Sequence, residues 1–228
     1  MKAVTFVKPG HIELIEQPAP QVGPEDILID MHYVGLCGTD LSSYRGTMPL
    51  VSYPRIPGHE DSGIILEKGA QVPDSFAEGD QVMISPCAHC GDCPPCRQGR
   101  VNCCVTNRTL GVQRDGAMLD KIAVHYSDVF TSRELSLKEL ALVEPMGIGY
   151  HATRRGQVTG SDQVLVLVQR VEPARRARLR LALLVPDDLN LVARLQRVVA
   201  ARHRLAIDTH APRPQSLPQR VAVPAHQA

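Results

Sequence analysis

Four cysteines within fifteen residues constrain this chain more than any other feature of its sequence. The four are Cys90, Cys93, Cys96 and Cys104, and the CGDCPPC stretch that carries the first three is bent by one glycine and two prolines. Four thiolates at this spacing can surround one tetrahedral ion, which is the arrangement of a closed structural zinc site. The sequence therefore predicts a zinc ion here in preference to free or disulfide-linked thiols.

Two further thiols are spare: Cys87 precedes this loop, and Cys103 lies within it beside Cys104. They leave an alternative ligand register, 87/90/93/96, open on spacing alone. The N-terminus carries an early proline, a glycine and acidic residues but no long apolar core, so no signal peptide is predicted. Without an export signal, clustered cysteines indicate metal ligation rather than disulfides, and the predicted location is cytoplasmic.

Short stretches rich in Val, Ile and aromatic residues recur between turn signals in the first half of the chain. Such stretches are typical of strands, and they lie at 2–7, 26–35, 63–72, 76–85 and after the Asp115-Gly116 turn. Their spacing of about ten residues favours a small antiparallel barrel over a βαβ array. The predicted fold is therefore mainly β with some α. No apolar run approaches the ~20 residues of a membrane span.

Helical signals begin at Ser136, which has the capping-box spacing to Glu139. Pro145 suits the first turn of a second helix that continues through GIGYHATRR. The apolar run 163–168, QVLVLV, is typical of a buried parallel strand. In a dinucleotide-binding domain a Gly-rich turn would follow such a strand, but no glycine follows Gly160. The sequence therefore predicts no cofactor-binding residues.

The composition changes abruptly near residue 168. Residues 1–168 carry 14 Lys and Arg against 20 Asp and Glu, whereas residues 169–228 carry 11 Arg against 4 acidic residues. Three units are therefore predicted: a zinc-binding domain at 1–160, the first strand of a missing dinucleotide-binding domain at 161–168, and a divergent Arg/Ala/Pro-rich tail at 169–228.

The tail has two interpretations. Residues 187–206 are suited to a basic amphipathic helix that binds an acidic protein, RNA or a membrane surface, although the tail lacks aromatic residues for base stacking. A sudden shift to Arg, Ala, Pro and Leu is instead typical of a frameshift in a GC-rich coding sequence. The frameshift is the favoured hypothesis, and residues 207–228 are predicted to be disordered.

A second set of metal-ligand residues is spread along the chain. It comprises Cys37, Thr39 and Asp40, then Gly58-His59-Glu60, and then Glu144-Pro145. One thiolate, one imidazole and one or two carboxylates would leave a coordination position open for water or substrate, as in a catalytic zinc site. Each piece alone is more typical of an ordinary surface or core residue. Only their order and spacing together carry the prediction.

Taken in order, these motifs resemble the zinc-dependent medium-chain alcohol and polyol dehydrogenases. The motifs are CGTD, GHE twenty-two residues after the cysteine, CGDCPPC with a later cysteine, LGVQRDGAM and LVEPMGIGYHA. The likeness covers residues 1 to about 168 and is strongest to the branch with sorbitol, threonine, butanediol and galactonate-type dehydrogenases. It implies a GroES-like, partly open β-barrel at 1–160 that bears both zinc sites, normally followed by a Rossmann domain that binds NAD(P).

The resemblance also implies a role for each matching residue at the metal sites. Cys37 and His59 match the catalytic-zinc ligands. Glu60 and Glu144 match carboxylates that bind this metal directly or through water. The ligands of the structural zinc are matched by Cys90, Cys93, Cys96 and Cys104.

Two further matches concern proton transfer and orientation. Thr39 matches the hydroxyl that takes the proton of the alcohol, and Asp40 matches the acid that orients the ligand histidine. Zinc would lower the pKa of the substrate hydroxyl, and the carbinol carbon would pass hydride to the nicotinamide. Three positions depart from the pattern: Ser42 replaces a relay histidine, Asp61 replaces an apolar residue, and the Gly-rich loop is lost from Gln169 onward.

The predicted function is that of a zinc-dependent, NAD(P)-linked oxidoreductase (EC 1.1.1.-) acting on a small secondary alcohol, polyol or sugar acid. The chain itself is expected to lack the cofactor domain and the usual dimer surface, and no membrane or nucleic-acid partner is predicted. The alternative is a non-enzymatic zinc-binding interaction module. A zinc-dependent hydrolase is disfavoured because no general base beyond the ligand carboxylates is evident.

Overall fold

The structure, a computed structural model, describes residues 1–159, Asp162, and the backbone of 167–168 and 180–181. Most of the tail predicted at 169–228, including the helix proposed at 187–206, lies outside the described residues. None of the described helices is long and apolar enough to span a membrane.

Most regular structure in the described part of the chain is β. The strands are β1 (Lys2–Lys8), β2 (His11–Glu16), β3 (Asp26–Gly35), β4 (Glu60–Lys68), β5 (Gln81–Ile84), β6 (Cys87–Ala88), β7 (Arg108–Thr109), β8 (Lys121–His125), β9 (Val129–Thr131), β10 (Leu167–Val168) and β11 (Arg180–Leu181). The prediction of a mainly β fold with some α is thus confirmed. β4 begins three residues before the stretch predicted at 63–72, so Glu60 and Asp61 belong to a strand and not to a loop.

A five-stranded antiparallel sheet in the order β8-β3-β4-β5-β9 builds the main core. Alternating side chains such as Ile27 and Ile29 point inward and are fully buried, and they pack with Ile65, Val82 and their neighbours. Each such side chain stabilises the fold by about 1.5–3 kcal/mol through removal from water. β1 and β2 form a separate hairpin, and β6 and β7 form a separate antiparallel pair.

The helices are short and lie at the ends of the sheet. They are α1 (Gly38–Arg45), α2 (Pro94–Arg97), α3 (Leu137–Leu140) and α4 (Val143–Arg155), with 3-10 turns at Val101–Cys103 and Tyr126–Asp128. The capping box predicted at Ser136 is present, since its side chain accepts from Glu139 N while the Glu139 carboxylate accepts from Ser136 N. A second cluster of Met83, Leu135, Leu140 and Val143 packs α3 and α4 against β5.

The strand predicted at 163–168 is described only at its end. There β10 pairs with β11 in an antiparallel ladder, Leu167 opposite Leu181 and Val168 opposite Arg180. A parallel neighbour was expected. A parallel partner requires a crossover of a dozen or more residues, and only eleven residues separate β10 from β11.

Backbone contacts clamp the segment that enters β4. Ile56, Pro57 and Gly58 each accept a hydrogen bond from the 116–118 segment at 2.8–3.0 Å. Gly58 has a φ of +99°, which disfavours any side chain, and a Cβ there would lie 2.7 Å from a Val34 methyl group and 3.2 Å from Met118 N. This contact fixes the direction in which the chain leaves toward His59.

Replacing this glycine should therefore be costly. Gly58→Ala is expected to lower the free energy of unfolding by roughly 2–5 kcal/mol, because strain at positive φ adds to a clash with the Met118 backbone. Gly79→Ala is the matched control, since Gly79 has a φ of +87° and open space around its Cα. Urea denaturation should show a smaller loss for the control. Equal losses would mean that the close packing around Gly58 contributes nothing.

Candidate metal centres

Cys37 caps the N-terminus of α1. Its Sγ accepts a hydrogen bond from Thr39 N at 3.2 Å, and its own N–H donates to Asp40 Oδ2 at 3.0 Å. This reciprocal arrangement is a capping box with sulfur in the place usually taken by a hydroxyl. The turn therefore presents Cys37 as a metal ligand.

His59 meets this cysteine across the sheet edge. Cys37 Sγ and His59 Nε2 are 3.1 Å apart, and both lie in a group with Asp40 whose ligand atoms are all within 4.8 Å of one another. A tetrahedral zinc with Zn–S of about 2.3 Å and Zn–N of about 2.0–2.1 Å separates such atoms by about 3.5 Å. The donor set and spacing therefore fit a zinc ion.

Asp40 is the buried centre of this arrangement, with 3% of its surface exposed. Oδ2 accepts from Cys37 N, and Oδ1 accepts from Gly58 N at 3.3 Å. Oδ1 also faces His59 Nδ1 at 3.7 Å, and that buried nitrogen has no hydrogen-bond partner among the described residues. The carboxylate thus joins the two segments that carry the candidate ligands. It faces the Nδ1 side of the imidazole, while Nε2 faces Cys37.

The two carboxylates predicted as further ligands lie outside the group of Cys37, Asp40 and His59. Glu60 is half-buried at the start of β4, where its Oε2 covers Gly35 so closely that a Cβ on that glycine would lie 2.5 Å away. Glu144 is half-buried in the first turn of α4. Thr39, the predicted proton acceptor, is half-buried beside Cys37. The roles of these three side chains stay predictions.

Asp61 is completely buried in β4 next to Glu60. Its Oδ1 accepts from Ile84 N at 3.0 Å, while Oδ2 has no partner among the described residues. Burial raises the pKa of Asp61 from 3.8 to about 7. The Ile84 N–H opposes this shift, the charge of Glu144 adds to it, and the charge of Arg114 opposes it. The residue that replaces an apolar one in the family pattern is thus a buried carboxylate, and only one of its oxygens has a hydrogen-bond partner among the described residues.

The four clustered cysteines form the second candidate centre. Their sulfur atoms lie within 4.8 Å of one another. Cys104 Sγ is 3.6 Å from Cys90 Sγ and 4.0 Å from Cys93 Sγ, close to the about 3.8 Å of a tetrahedral four-thiolate zinc. Cys87 and Cys103 are exposed and outside the group. The geometry thus favours the 90/93/96/104 register over 87/90/93/96.

Hydrogen bonds within this loop lower the pKa of two of its cysteines, which favours their binding to a cation. The N–H groups of Cys93 and Asp92 lower the pKa of Cys90 to about 6, and the Thr106 hydroxyl lowers that of Cys104. Burial raises the pKa of Cys96 to about 12. A zinc ion would supply the positive charge that deprotonates this buried thiol. The donor chemistry therefore fits a structural zinc ion.

The sequence analysis did not identify several residues that position these centres. The glycines and Met118 of LGVQRDGAM pack against the Pro57-Gly58 backbone, where a Cβ on Gly111 or Gly116 would lie within 2.3–2.8 Å. Helix α1 itself was not predicted, although an acidic residue three positions after Cys37 is a capping-box signal.

The fold agrees with known proteins. Residues 23–134 match the family model described as alcohol dehydrogenase GroES-like domain. L-galactonate-5-dehydrogenase of Escherichia coli K12 is 34% identical over 167 residues, covering 73% of this chain and 49% of that protein. Sorbitol dehydrogenase of Bacillus subtilis is 34% identical over 172 residues, covering 73% and 48%.

Solved structures give the same result. An alcohol dehydrogenase of Escherichia coli CFT073, determined with NADH, aligns with a TM-score of 0.65 at 31% identity over 70% of this chain and 46% of that one. The described fold is therefore a GroES-like domain. The chain belongs to the zinc-type alcohol and polyol dehydrogenase family, and it spans about half the length of the curated relatives it matches.

The four-cysteine loop should hold one zinc ion per chain. A Cys93→Ser, Cys96→Ser double variant is expected to lose one zinc by metal analysis and to be less stable by several kcal/mol, because zinc binding contributes directly to folding. Cys87→Ser with Cys103→Ser is the matched control and should keep the wild-type zinc content. Unchanged zinc in the first variant would contradict the site.

Asp61 should make the stability of the metal-free protein depend on pH. Its folded-state pKa is raised, so the protonated form favours folding and stability falls as pH rises from about 4 to about 7. Asp61→Asn keeps an acceptor oxygen without ionising, so its advantage over wild type should grow across that window, to at most about 4 kcal/mol. Urea unfolding at several pH values measures this, with the exposed Asp74→Asn as control. A constant difference would contradict the assignment.

Proposed function

We propose that this chain forms the zinc-binding half of an NAD(P)-linked dehydrogenase that oxidises a small secondary alcohol, polyol or sugar acid. The observation that carries the proposal is the meeting of Cys37 and His59 over Asp40, with a separation that suits a tetrahedral ion. The relatives named above are dehydrogenases of galactonate and sorbitol, which supports this substrate class.

In the proposed reaction, Cys37 and His59 would hold the zinc, and Glu60 and Glu144 would complete its surroundings directly or through water. The bound ion would supply Lewis-acid polarisation of the substrate hydroxyl and so lower its pKa. Thr39 would accept the proton of that hydroxyl while it passes its own hydroxyl proton on to water. Asp40 would hold the imidazole of His59 in one orientation and leave Nε2 available as the ligand atom.

The hydride acceptor has to come from outside the described domain. No glycine follows Gly160, so residues 169–228 cannot build the Gly-rich turn that brings a pyrophosphate close to the backbone. Apolar side chains are exposed beside the candidate site: Leu36 next to Cys37 is 66% exposed, and Ile148, four residues after Glu144, is 67% exposed. We infer that a cofactor-binding domain covers this face in the active enzyme.

The proposed activity belongs in the cytoplasm. The seven described cysteines are all free, and both candidate centres need reduced thiols. A reducing compartment keeps such thiols available to a metal.

Joining a relative's Rossmann and C-terminal segments after Val168 should produce NAD(P)-linked oxidation of a polyol or sugar acid. Cys37→Ser should abolish turnover and remove one zinc, while Thr39→Ala should keep zinc and slow turnover by roughly 10²–10⁴-fold, as for a lost acid–base step. Steady-state kinetics measures the turnover of each variant, metal analysis measures its zinc content, and cofactor fluorescence checks that it still binds the nucleotide.

The unmodified chain is the control for this experiment. It is expected to bind NAD(H) and NADP(H) negligibly, and micromolar affinity would show a nucleotide site that the sequence does not predict. A fully active chimera that carries Cys37→Ser would exclude zinc as the catalyst. A folded, cofactor-binding but inactive chimera would favour the non-enzymatic zinc module.

A further inference from the structure

The ladder between β4 and β5 stops short of the candidate metal site. The two strands pair at Gly63–Val82 and Ile64–Gln81. Continued in the same register, this ladder would place Ile84 opposite Asp61. There Ile84 N donates instead to the carboxylate Oδ1 of Asp61, at 3.0 Å. A side chain thus takes the place of the main-chain acceptor at the point where β4 separates from β5.

The next residue makes a similar contact with the neighbouring helix. Ser62 is fully buried, and its hydroxyl donates to Leu137 O of α3 at 2.5 Å. Two consecutive polar side chains therefore hold the start of β4 to β5 and to α3. His59 and Glu60, the candidate ligand residues, come directly before this pair in the sequence, and Glu60 is the first residue of β4.

We propose that Asp61 is a positioning residue for the catalytic metal centre, because its acceptor oxygen holds the start of β4, which directly follows His59, against β5. The proposal rests on the function proposed above, namely a metal bound by Cys37 and His59. Ile84 is fully buried, so without this acceptor its N–H has no partner at that position. The start of β4 then shifts to relieve the unpaired group, and the shift moves His59 relative to Cys37.

The contact requires an acceptor oxygen and not a negative charge. An amide at position 61 can present its oxygen to Ile84 N in the same place, whereas an aliphatic side chain of similar size cannot. Asp61→Asn keeps the hydrogen bond to Ile84 N, whereas Asp61→Leu only fills the same space. Comparing the two variants therefore shows whether the hydrogen bond or the side-chain volume positions the centre.

The test uses the full chain loaded with Co²⁺ in place of zinc. The two centres differ in ligands, so their cobalt absorption bands are distinct, and the four-thiolate loop serves as an internal control in every variant. Asp61→Leu is expected to weaken cobalt binding at the Cys37–His59 centre by at least about tenfold and to alter its d–d bands, while the four-thiolate bands stay unchanged. Asp61→Asn is expected to match wild type in both.

Several outcomes overturn the inference. A folded Asp61→Leu with wild-type affinity and spectrum shows that the contact does not position the centre. If Asp61→Asn loses as much cobalt affinity at the Cys37–His59 centre as Asp61→Leu does, the acceptor oxygen is not what positions the centre. If Asp61→Leu does not fold, Asp61→Thr carries the same prediction, because threonine suits a strand and its hydroxyl is too short to reach Ile84 N.

One further variant separates this inference from the proposed function. Cys37→Ser should remove the cobalt signal of the mixed sulfur–nitrogen centre and leave the four-thiolate signal. If Cys37→Ser leaves both signals intact, the proposed metal site itself is wrong. If Cys37→Ser removes the signal and Asp61→Leu does not affect it, only the positioning role fails.

Discussion

The carboxylate of Asp40 is the interaction on which the rest of the candidate site depends. It accepts from Cys37 N and Gly58 N and faces His59 Nδ1, so it holds together two segments that are far apart in sequence. A buried carboxylate is costly to desolvate unless donors surround it. Here the donors are the backbone groups that carry the candidate ligands, and the same contacts that satisfy Asp40 therefore assemble the metal centre.

The sheet supplies the rigid frame around this contact. Close packing between the 56–58 segment and the 116–118 segment leaves no room for side chains at Gly58, Gly111 or Gly116. Because close-packed protein interiors transmit small displacements rather than absorb them, this packing fixes the backbone position from which His59 extends. The four-cysteine loop is held differently, by local turns and N–H···S contacts within one short segment.

The two centres thus differ in how much of the fold they need. The candidate structural centre is closed within residues 90–104, and a zinc ion there would stabilise that loop. The candidate catalytic centre takes its side chains from the N-terminus of α1 and from the residue before β4, and its predicted carboxylates from β4 and α4. Hydride transfer additionally needs a cofactor domain, and the chain spans about half the length of the relatives that perform it.

The sequence by itself determined the β-rich class, the four-cysteine group and the capping box at Ser136, because each depends on local spacing. It also paired Cys37 with His59, but only through the resemblance to a family, since no local rule joins residues twenty-two positions apart. Tertiary structure alone decided that β4 begins at Glu60, that Asp61 is buried against Ile84 N, and that Glu60 and Glu144 lie outside the Cys37–His59 group. The physical reason is that strand ends and buried carboxylates are set by contacts between distant segments, which periodicity along the chain does not encode.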